Sequence, residues 1–431
     1  MTPPSRMSFL TAHHPKDIGV WTNQCILSSD VPTFAHALGA IGYETVLCGR
    51  MHFVSIDQRH GFEKRLVGDV TAMYHGGRGP RFDHIPVATT GQTRIAVEIA
   101  GAGRTVYQAF DDAVTDACIK FLRERDSGRP LCMVVGFVLP HCPYIAPKTL
   151  FEHYYDRVKI PSVPDGYWEA MHPAMINWRR RRRIEDLTEE QIRTARAGYY
   201  GLVEYLDTLI GKIIETLHEL RMVERTIVIY TSDHGDMVGE HGLWWKSNFY
   251  EGSVGVPLIF AGAHLPKGIV CERVVSLLDV TATVIDIADA PPLPHSLGRS
   301  LVPLLCESPN GVDWEDVAFA ELCTFTDPFM RMVRRGDWKL VYFDGYERPQ
   351  LFNLRDDPNE FNDLATDESY SDVVCELLGE VLHDWHPQCI RKTIEQRRER
   401  IALLREWCKR VQPPDPDHWR EPEGCNVFPE R

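Results

Sequence analysis

Short apolar segments alternate with helical patterns along the first 290 residues. Segments 44–48, 131–138, 225–230 and 256–262 are apolar runs that predict buried strands. Residues 109–125 and 188–221 carry apolar side chains at helical spacing, and the second of these helices opens with the capping box Thr188-Glu-Glu-Gln. Apolar strands of this kind need helices on both faces. The pattern therefore predicts an α/β fold with a central, mostly parallel sheet covered on both sides.

The first half of the chain also contains a predicted helix and a long region of predicted loops. A helix is predicted over 30–40, with Asp30 at the N-cap and Pro32 in the first turn. Residues 56–105 are rich in Gly and His without a steady period, which indicates long loops over a site. Loops of that length are usually functional, so binding residues are expected among them.

The pattern changes near residue 315. Segments 331–343 and 350–354 resemble an antiparallel pair, and helices are predicted near 369–385 and 390–410. A Pro-rich segment follows. We predict an α/β domain over 1–314, a smaller α+β domain with a short antiparallel sheet over 315–411, and an extended tail over 412–431.

Composition and charge narrow the classes of partner. Lys and Arg number 47 against 61 Asp and Glu, a net charge of −14, which disfavours nucleic acid as a partner. No apolar run approaches the roughly 20 residues that span a bilayer, so we expect no membrane association and a cytoplasmic location. A local basic cleft would still attract a small anionic ester. The tail is a candidate arm for homo-oligomer formation.

The first residues suggest a nucleophile at a helix N-terminus. In Thr2-Pro-Pro-Ser-Arg6 the prolines suit a first turn, whose N–H groups are unpaired in any case. Thr2 and Arg6 then share one helix face, so the arginine can hold an anion that the hydroxyl attacks. The helix N-terminus favours the same anion. The alternative is a frayed terminus without a role.

Polar side chains follow three of the predicted strands. Ligands of α/β sheets gather at the carboxyl ends of strands, where this chain has Gly-Arg-Met-His, Pro-His-Cys-Pro-Tyr and Ser-Asp-His-Gly-Asp. A cation there can hold an anionic oxygen, a histidine can move protons, and an Asp-His pair can ligate a divalent ion. Taken singly, each is as well explained as a surface cation or a structural histidine. The candidates are Arg50, His52, His141, Asp233, His234 and, ten residues after the last strand motif, Lys246.

The ordered set of these motifs resembles the sulfatase family of the alkaline phosphatase superfamily. The resemblance runs from the Pro-Ser-Arg start through GYETVLCGRMH, PHCPY, TIVIYTSDHGDMVGEHGLWWK and VPLIFAG to RRGDWKLVYF and LFNLRDDPNEFNDLA, about residues 1–365. GRMHFVSIDQRHGFEKRL is especially similar to choline sulfatases. The resemblance implies an alkaline-phosphatase-like fold and one divalent metal ion, Ca²⁺ first, with Mg²⁺ or Mn²⁺ as alternatives.

The resemblance also assigns roles to these residues. The family's nucleophile, a Cys or Ser oxidised to formylglycine, falls on Thr2, and the motif arginine on Arg6. Arg50 stands where the family has Lys. The family's two histidines that act at the leaving group fall on His52 and His141. Its lysine that follows the metal-binding motif falls on Lys246. Its metal-binding Asp-His pair falls on Asp233 and His234.

Two departures from the family leave alternatives open. A threonine cannot give the aldehyde of formylglycine, but its alkoxide could attack phosphorus directly. The family also begins with a strand bearing acidic metal ligands before the nucleophile motif. We therefore expect an N-terminally incomplete form of a longer protein, the alternative being a degenerate member. Three functions follow: a metal-dependent sulfate ester hydrolase, a phosphodiester or phosphonate hydrolase using Thr2, and a non-catalytic anion-binding homologue.

Overall fold

The computed structural model describes residues 2–83, 85, 92–306 and 309–429. Within these residues the predicted α/β class is confirmed: parallel strands lie between helix layers, and a smaller antiparallel sheet follows. No helix in these ranges combines the length and apolar character needed to cross a membrane.

Eleven strands are found in the described part of the chain. They are β1 (Glu44–Gly49), β2 (Lys64–Arg65), β3 (Gly101–Ala102), β4 (Leu131–Gly136), β5 (Ile145–Ala146), β6 (Ile227–Thr231), β7 (Leu258–Gly262), β8 (Val317–Leu322), β9 (Met330–Arg335), β10 (Trp338–Phe343) and β11 (Gln350–Asn353).

The same part of the chain holds thirteen α-helices, several of them a single turn. They are α1 (Thr2–Thr11), α2 (Pro15–Ile18), α3 (Phe34–Ala40), α4 (Ile95–Glu98), α5 (Val106–Glu124), α6 (Lys148–Tyr155), α7 (Tyr167–Ala170), α8 (Pro173–Arg182), α9 (Glu189–Glu219), α10 (Glu251–Val254), α11 (Leu277–Ile287), α12 (Ser371–Leu382) and α13 (Pro387–Val411).

Two helix layers enclose the main sheet. Strands β2, β1 and β4 are parallel neighbours, and β6 pairs antiparallel with β7. On one face, Met133 of β4 and Val228 of β6 pack against the cluster formed by α5 and α9. On the other face, Val134 packs against the cluster of α1 and α3, and Ile229 against that of α11. The strands β4 and β6 therefore lie in one layer, between the same helices.

Strands β4 and β6 do not pair with each other, although they share this layer. Among the described residues β4 has β1 as its one strand neighbour, and β6 has β7. Strand β1 is buried throughout, whereas the first five residues of β4 are half-buried. Within the described residues the sheet is thus divided into two parts with unpaired backbone edges between them.

Two local predictions were tested by the helix ends, and one needs correction. The helix predicted over 30–40 begins at Phe34, and its N-cap is Thr33, not Asp30. Thr33 and His36 form a capping box, a local pair of hydrogen bonds that an Asp one turn earlier cannot replace. The capping box at Thr188 is confirmed, and it opens the 31-residue helix α9.

The antiparallel sheet is tied to the α/β part by a buried charge cluster. Strand order is β11-β10-β9-β8, and α12 packs on β9 and β10. Lys339 of β10 is fully buried and forms ion pairs with Glu251 at the start of α10 (2.9 Å) and with Glu360 (2.5 Å). The backbone N–H of Glu251 also donates to Glu360 at 2.6 Å. One ammonium therefore neutralises carboxylates from both parts.

This cluster makes stability sensitive to Lys339. We expect Lys339→Met to lower the free energy of unfolding by about 3–5 kcal/mol, because it leaves the buried carboxylate of Glu360 without its cation. The half-buried Glu251 would keep its ion pair with Arg334. Urea unfolding followed by circular dichroism would measure the change. Lys409→Met is the matched control, since Lys409 pairs with Glu406 on the surface of α13, and should change stability by less than about 1 kcal/mol. Equal losses in the two variants would contradict the prediction.

Candidate active site

Arg6 joins the carboxyl ends of three strands. Its guanidinium donates to the carbonyl of Arg50 after β1 (2.7 Å) and lies 3.5 Å from the carbonyl of Phe137 after β4. It also forms an ion pair with Asp233 after β6, with Nε 3.4 Å from Oδ2. Helix α1 thereby holds these strand ends at one edge of the layer, so β4 and β6 run in the same direction.

Helix α1 presents its first residue to the same point. Thr2 is buried, at 4% exposure, and its Oγ1 lies 3.3 Å from Nε2 of His234. The Ser5 hydroxyl donates to the carbonyl of Asp233 at 2.6 Å, which fixes the helix against the loop after β6. The terminus is not frayed: it is packed into the cluster of candidate residues.

Arg50 and His52 form one arm of the cluster. The Arg50 guanidinium donates to Nδ1 of His52 at 2.9 Å, so this nitrogen is an acceptor and the neutral ring carries its proton on Nε2. Burial, reinforced by the charge of Arg50, lowers the pKa of His52 to about 3. His52 has a φ of 63°, a conformation that non-glycine residues adopt rarely.

His141 and Lys246 form a second arm. Nδ1 of His141 donates to the carbonyl of Cys142 at 2.8 Å, which leaves Nε2 to accept from the Lys246 ammonium, also at 2.8 Å. Burial, then the charges of Lys246 and Arg50, holds the pKa of His141 well below its usual value. Burial likewise lowers the pKa of Lys246. This arm is therefore a neutral imidazole beside a buried cation that loses its proton more easily than an exposed lysine.

Asp233 and His234 place a carboxylate oxygen and an imidazole nitrogen close together. Nδ1 of His234 donates to the carbonyl of Gly235 at 2.8 Å, so Nε2 is the unprotonated nitrogen, which can accept from the Thr2 hydroxyl or act as a ligand. Nε2 lies 3.6 Å from Oδ2 of Asp233. That carboxylate oxygen is buried without a hydrogen-bond partner. The pair fits a divalent cation. The described residues contain no group of three or more His, Cys, Asp or Glu that could hold it, so these two ligands do not complete a coordination shell.

The structure thus brings together all eight residues singled out in the sequence. Direct contacts connect His52 through Arg50 and Arg6 to Asp233, His234 and Thr2. His141 follows the strand end whose carbonyl, at Phe137, lies 3.5 Å from Arg6, and it is paired with Lys246. Burial raises the pKa of Asp233, but Arg6 and His234 lower it by more, so this carboxyl stays ionised.

Two buried aspartates near the site were missed by sequence reasoning. Asp69 accepts hydrogen bonds from the backbone N–H groups of Met51 (3.0 Å) and His52 (2.7 Å). Asp111 of α5 accepts from the N–H groups of Val138 and Leu139, each at 2.9 Å, and burial raises its pKa to about 7. Neither aspartate belongs to a local motif, and both act across the fold on segments 17 to 28 residues away. No signal in the sequence marks them.

Four aromatic residues whose ring faces could bind a cation, Tyr74, Trp244, Trp245 and Tyr250, do not surround one point. Trp244, Trp245 and Tyr250 are all buried in the large core cluster beneath the site. Tyr74 instead packs edge-to-face on Trp407 of α13, with ring centroids 5.6 Å apart. The arrangement gives no support for a choline-like cation as the ligand of these rings.

Comparison with known proteins agrees with the geometry. The profile of the sulfatase family matches residues 1–290, and that of the N-sulphoglucosamine sulphohydrolase C-terminal region matches residues 239–386. Choline-sulfatase of Rhizobium meliloti (strain 1021) is 35% identical over 387 residues, covering 84% of this chain and 72% of that protein. Arylsulfatase K of Rattus norvegicus is 35% identical over 382 residues, covering 80% of this chain and 63% of that protein.

Among solved structures, a phosphonate monoester hydrolase from Silicibacter pomeroyi superposes with a TM-score of 0.71. It is 23% identical, and the match covers 89% of this chain and 85% of that one. At this identity the likeness concerns the fold. The family profile spans the helix and all the strand ends that build the site, together with the segments that carry the candidate residues. This chain belongs to the sulfatase family of sulfuric ester hydrolases.

Proposed function

We propose that this protein hydrolyses the sulfate ester of a small organic molecule with the help of one divalent metal ion. The observation that supports this most is the convergence on Arg6. Three strand ends and the first turn of α1 meet there and bring a hydroxyl, three cations, two neutral histidines and a metal-ligand pair together. The relatives named choline-sulfatase and arylsulfatase K support the same chemistry.

Three cations of the site can bind the negatively charged sulfate ester. Arg6, Arg50 and Lys246 come from different elements, and the last two are buried, at 7% exposure each. In hydrolysis the bond between sulfur and the alcohol oxygen breaks, and negative charge grows on that oxygen. Fixed cations in a site of low dielectric constant stabilise this charge without reorganisation, and in many enzymes such stabilisation accounts for most of the rate acceleration.

The two arms divide the proton chemistry. The leaving alkoxide must take up one proton, and Lys246 is its proposed source, acting directly or through Nε2 of His141. His52 offers its Nε2–H as a neutral donor, because Arg50 occupies Nδ1. Water supplies the remaining oxygen and protons of the sulfate product.

We propose that Asp233 and His234 hold the metal, Ca²⁺ first and Mg²⁺ or Mn²⁺ otherwise. A bound divalent ion would withdraw charge from the ester oxygens and lower the pKa of a nearby hydroxyl. Hard oxygen ligands favour Ca²⁺ and Mg²⁺, while the imidazole also suits Mn²⁺. Backbone carbonyl or hydroxyl oxygens, the substrate or water would supply the further ligands. The cytoplasmic location and assembly through the tail stay predictions.

Thr2 supports a second candidate, the hydrolysis of a phosphonate or phosphodiester. Its hydroxyl lies within contact of Nε2 of His234 and stands at the N-terminus of the ten-residue helix α1. A threonine alkoxide can attack phosphorus without prior oxidation. The fold relative named phosphonate monoester hydrolase fits this candidate.

Turnover of an aryl sulfate tests the proposed activity. We expect the full chain with Ca²⁺, Mg²⁺ or Mn²⁺ to release 4-nitrophenol from 4-nitrophenyl sulfate, and EDTA to abolish this. Arg50→Gln should lower kcat/KM by about 10²–10³, because it removes a fixed cation from the developing charge. Arg123→Gln, on the exposed surface of α5, is the control. Sulfate binding without turnover by any metal form would favour the anion-binding homologue.

The pH dependence of KM tests the role of Lys246. Anion binding by Lys246 requires its ammonium form, and burial lowers the pKa of this group. As pH rises through that lowered pKa, charge is lost and KM should increase, with a midpoint below the ordinary lysine value of about 10.4. In Lys246→Arg the guanidinium keeps its charge, so the increase in KM should disappear from the alkaline range. Identical KM profiles for the two proteins would contradict the assignment.

Substitutions of Thr2 separate the two candidate reactions. Thr2→Ala should abolish phenyl phosphonate ester hydrolysis if Thr2 is the nucleophile, and Thr2→Ser should keep it, because the hydroxyl is retained. Trapping a covalent phosphothreonine on the first tryptic peptide, read by mass spectrometry, would support direct attack. A Thr2→Ala enzyme that still cleaves phosphonate esters at the original rate would exclude it.

A further inference from the structure

The C-terminal segment 412–429 lies along its own chain, beside the loop that carries Asp69. The backbone N–H of Asp69 donates to the carbonyl of Asp417, and the N–H of Trp419 donates to the carbonyl of Asp69, both at 2.8 Å. This is a parallel β-bridge centred on His418. Further along the loop, the N–H of Met73 donates to Oδ2 of Asp415 at 3.2 Å. The tail thus pairs with the backbone of the aspartate itself.

Asp69 is the support of the Arg50–His52 arm. It is fully buried, and Oδ2 accepts from the N–H groups of Met51 and His52. Its carboxylate lies 3.7 Å from the guanidinium of Arg50 and 3.7 Å from that of Arg65. The carboxylate therefore fixes both the backbone conformation of His52, including its left-handed φ, and the direction of the Arg50 side chain.

The far end of the tail is anchored on α5. The Asn426 side chain accepts from the N–H of Val106, the first residue of that helix, at 2.8 Å. Val427 exchanges two backbone hydrogen bonds with Arg104, at 2.8 and 2.9 Å. Trp419 packs edge-to-face on Phe110, with ring centroids 5.2 Å apart. The tail is fixed at both ends, so the position it gives to Asp69 is well determined.

We propose that Asp69 is a positioning residue for Arg50 and His52, and that the segment 412–429 holds it in place as part of the active-site scaffold. The inference rests on the proposed function for its kinetic consequence only; the structural consequence stands by itself. A carboxylate that fixes the arm from behind matters because an error of about 1 Å in a catalytic group can cost about a hundredfold in rate.

Gly68 offers a test that touches no side chain of the site. A Cβ at Gly68 would lie 1.9 Å from the carbonyl oxygen of Asp417, so Gly68→Ala must push the tail away from Asp69. Gly128→Ala is the matched control, because a Cβ there meets nothing within 4 Å. Both variants keep the full chain and every charged group.

The kinetic result should be a rise in KM for the sulfate ester. We expect kcat/KM of Gly68→Ala to fall by about tenfold to a hundredfold, with KM raised because Arg50 is displaced from the anion. Circular dichroism at the assay temperature gives the folded fraction, so that partial unfolding is separated from displacement of Arg50 and His52. A wild-type kcat/KM per folded molecule would overturn the proposal. Asp69→Asn should raise KM in the same direction, since it removes the charge that orients Arg50.

Hydrogen exchange judges the proposal without any turnover. In Gly68→Ala the amides of residues 50–53 and 66–75 should exchange at least about tenfold faster than in Gly128→Ala, while β4 and α9 stay as protected as in the unaltered protein. Unchanged protection of residues 50–53 would overturn the inference. Faster exchange in a protein that cleaves no sulfate ester would leave the tail's role standing and reject the proposed function alone.

Discussion

The site depends on one guanidinium. Arg6 reaches the ends of β1, β4 and β6, and no other described side chain bonds to all three. Burying this charge is tolerable because Asp233 and two carbonyl oxygens surround it. β4 and β6 share no backbone hydrogen bonds in the described residues. The side chain of Arg6 therefore helps to hold these two strands together, as backbone hydrogen bonds do between paired strands.

Charge balance then decides what the site can hold. Arg6, Arg50 and Lys246 face Asp233 and Asp69, and both carboxyls are kept ionised by the cations beside them although burial alone would raise their pKa. His52 and His141 stay neutral because burial and the neighbouring cations both lower their pKa. These fixed cations can hold an anionic ligand within a chain whose net charge is −14.

The divided sheet and the pair Asp233 and His234 lie in the same part of the molecule. Asp233 and His234 follow β6, directly beside the unpaired edge that faces β4. The half-buried residues of β4 and the Oδ2 atom of Asp233, which has no hydrogen-bond partner, would both gain from a neighbouring group there. Further groups at this one place could therefore pair the backbone edges and also add to the ligands offered by Asp233 and His234.

The sequence by itself determined the elements and the candidate groups, because these depend on local periodicity and on motifs at strand ends. It predicted β1, β4, α9 and the site residues from Thr2 to Lys246, but it misplaced the N-cap of α3, where Thr33 and not Asp30 makes the capping bonds. Only the tertiary structure decided how Asp69 supports His52 and how the tail supports Asp69. Those contacts join segments 17 and about 350 residues apart, and no local pattern encodes pairing over such distances.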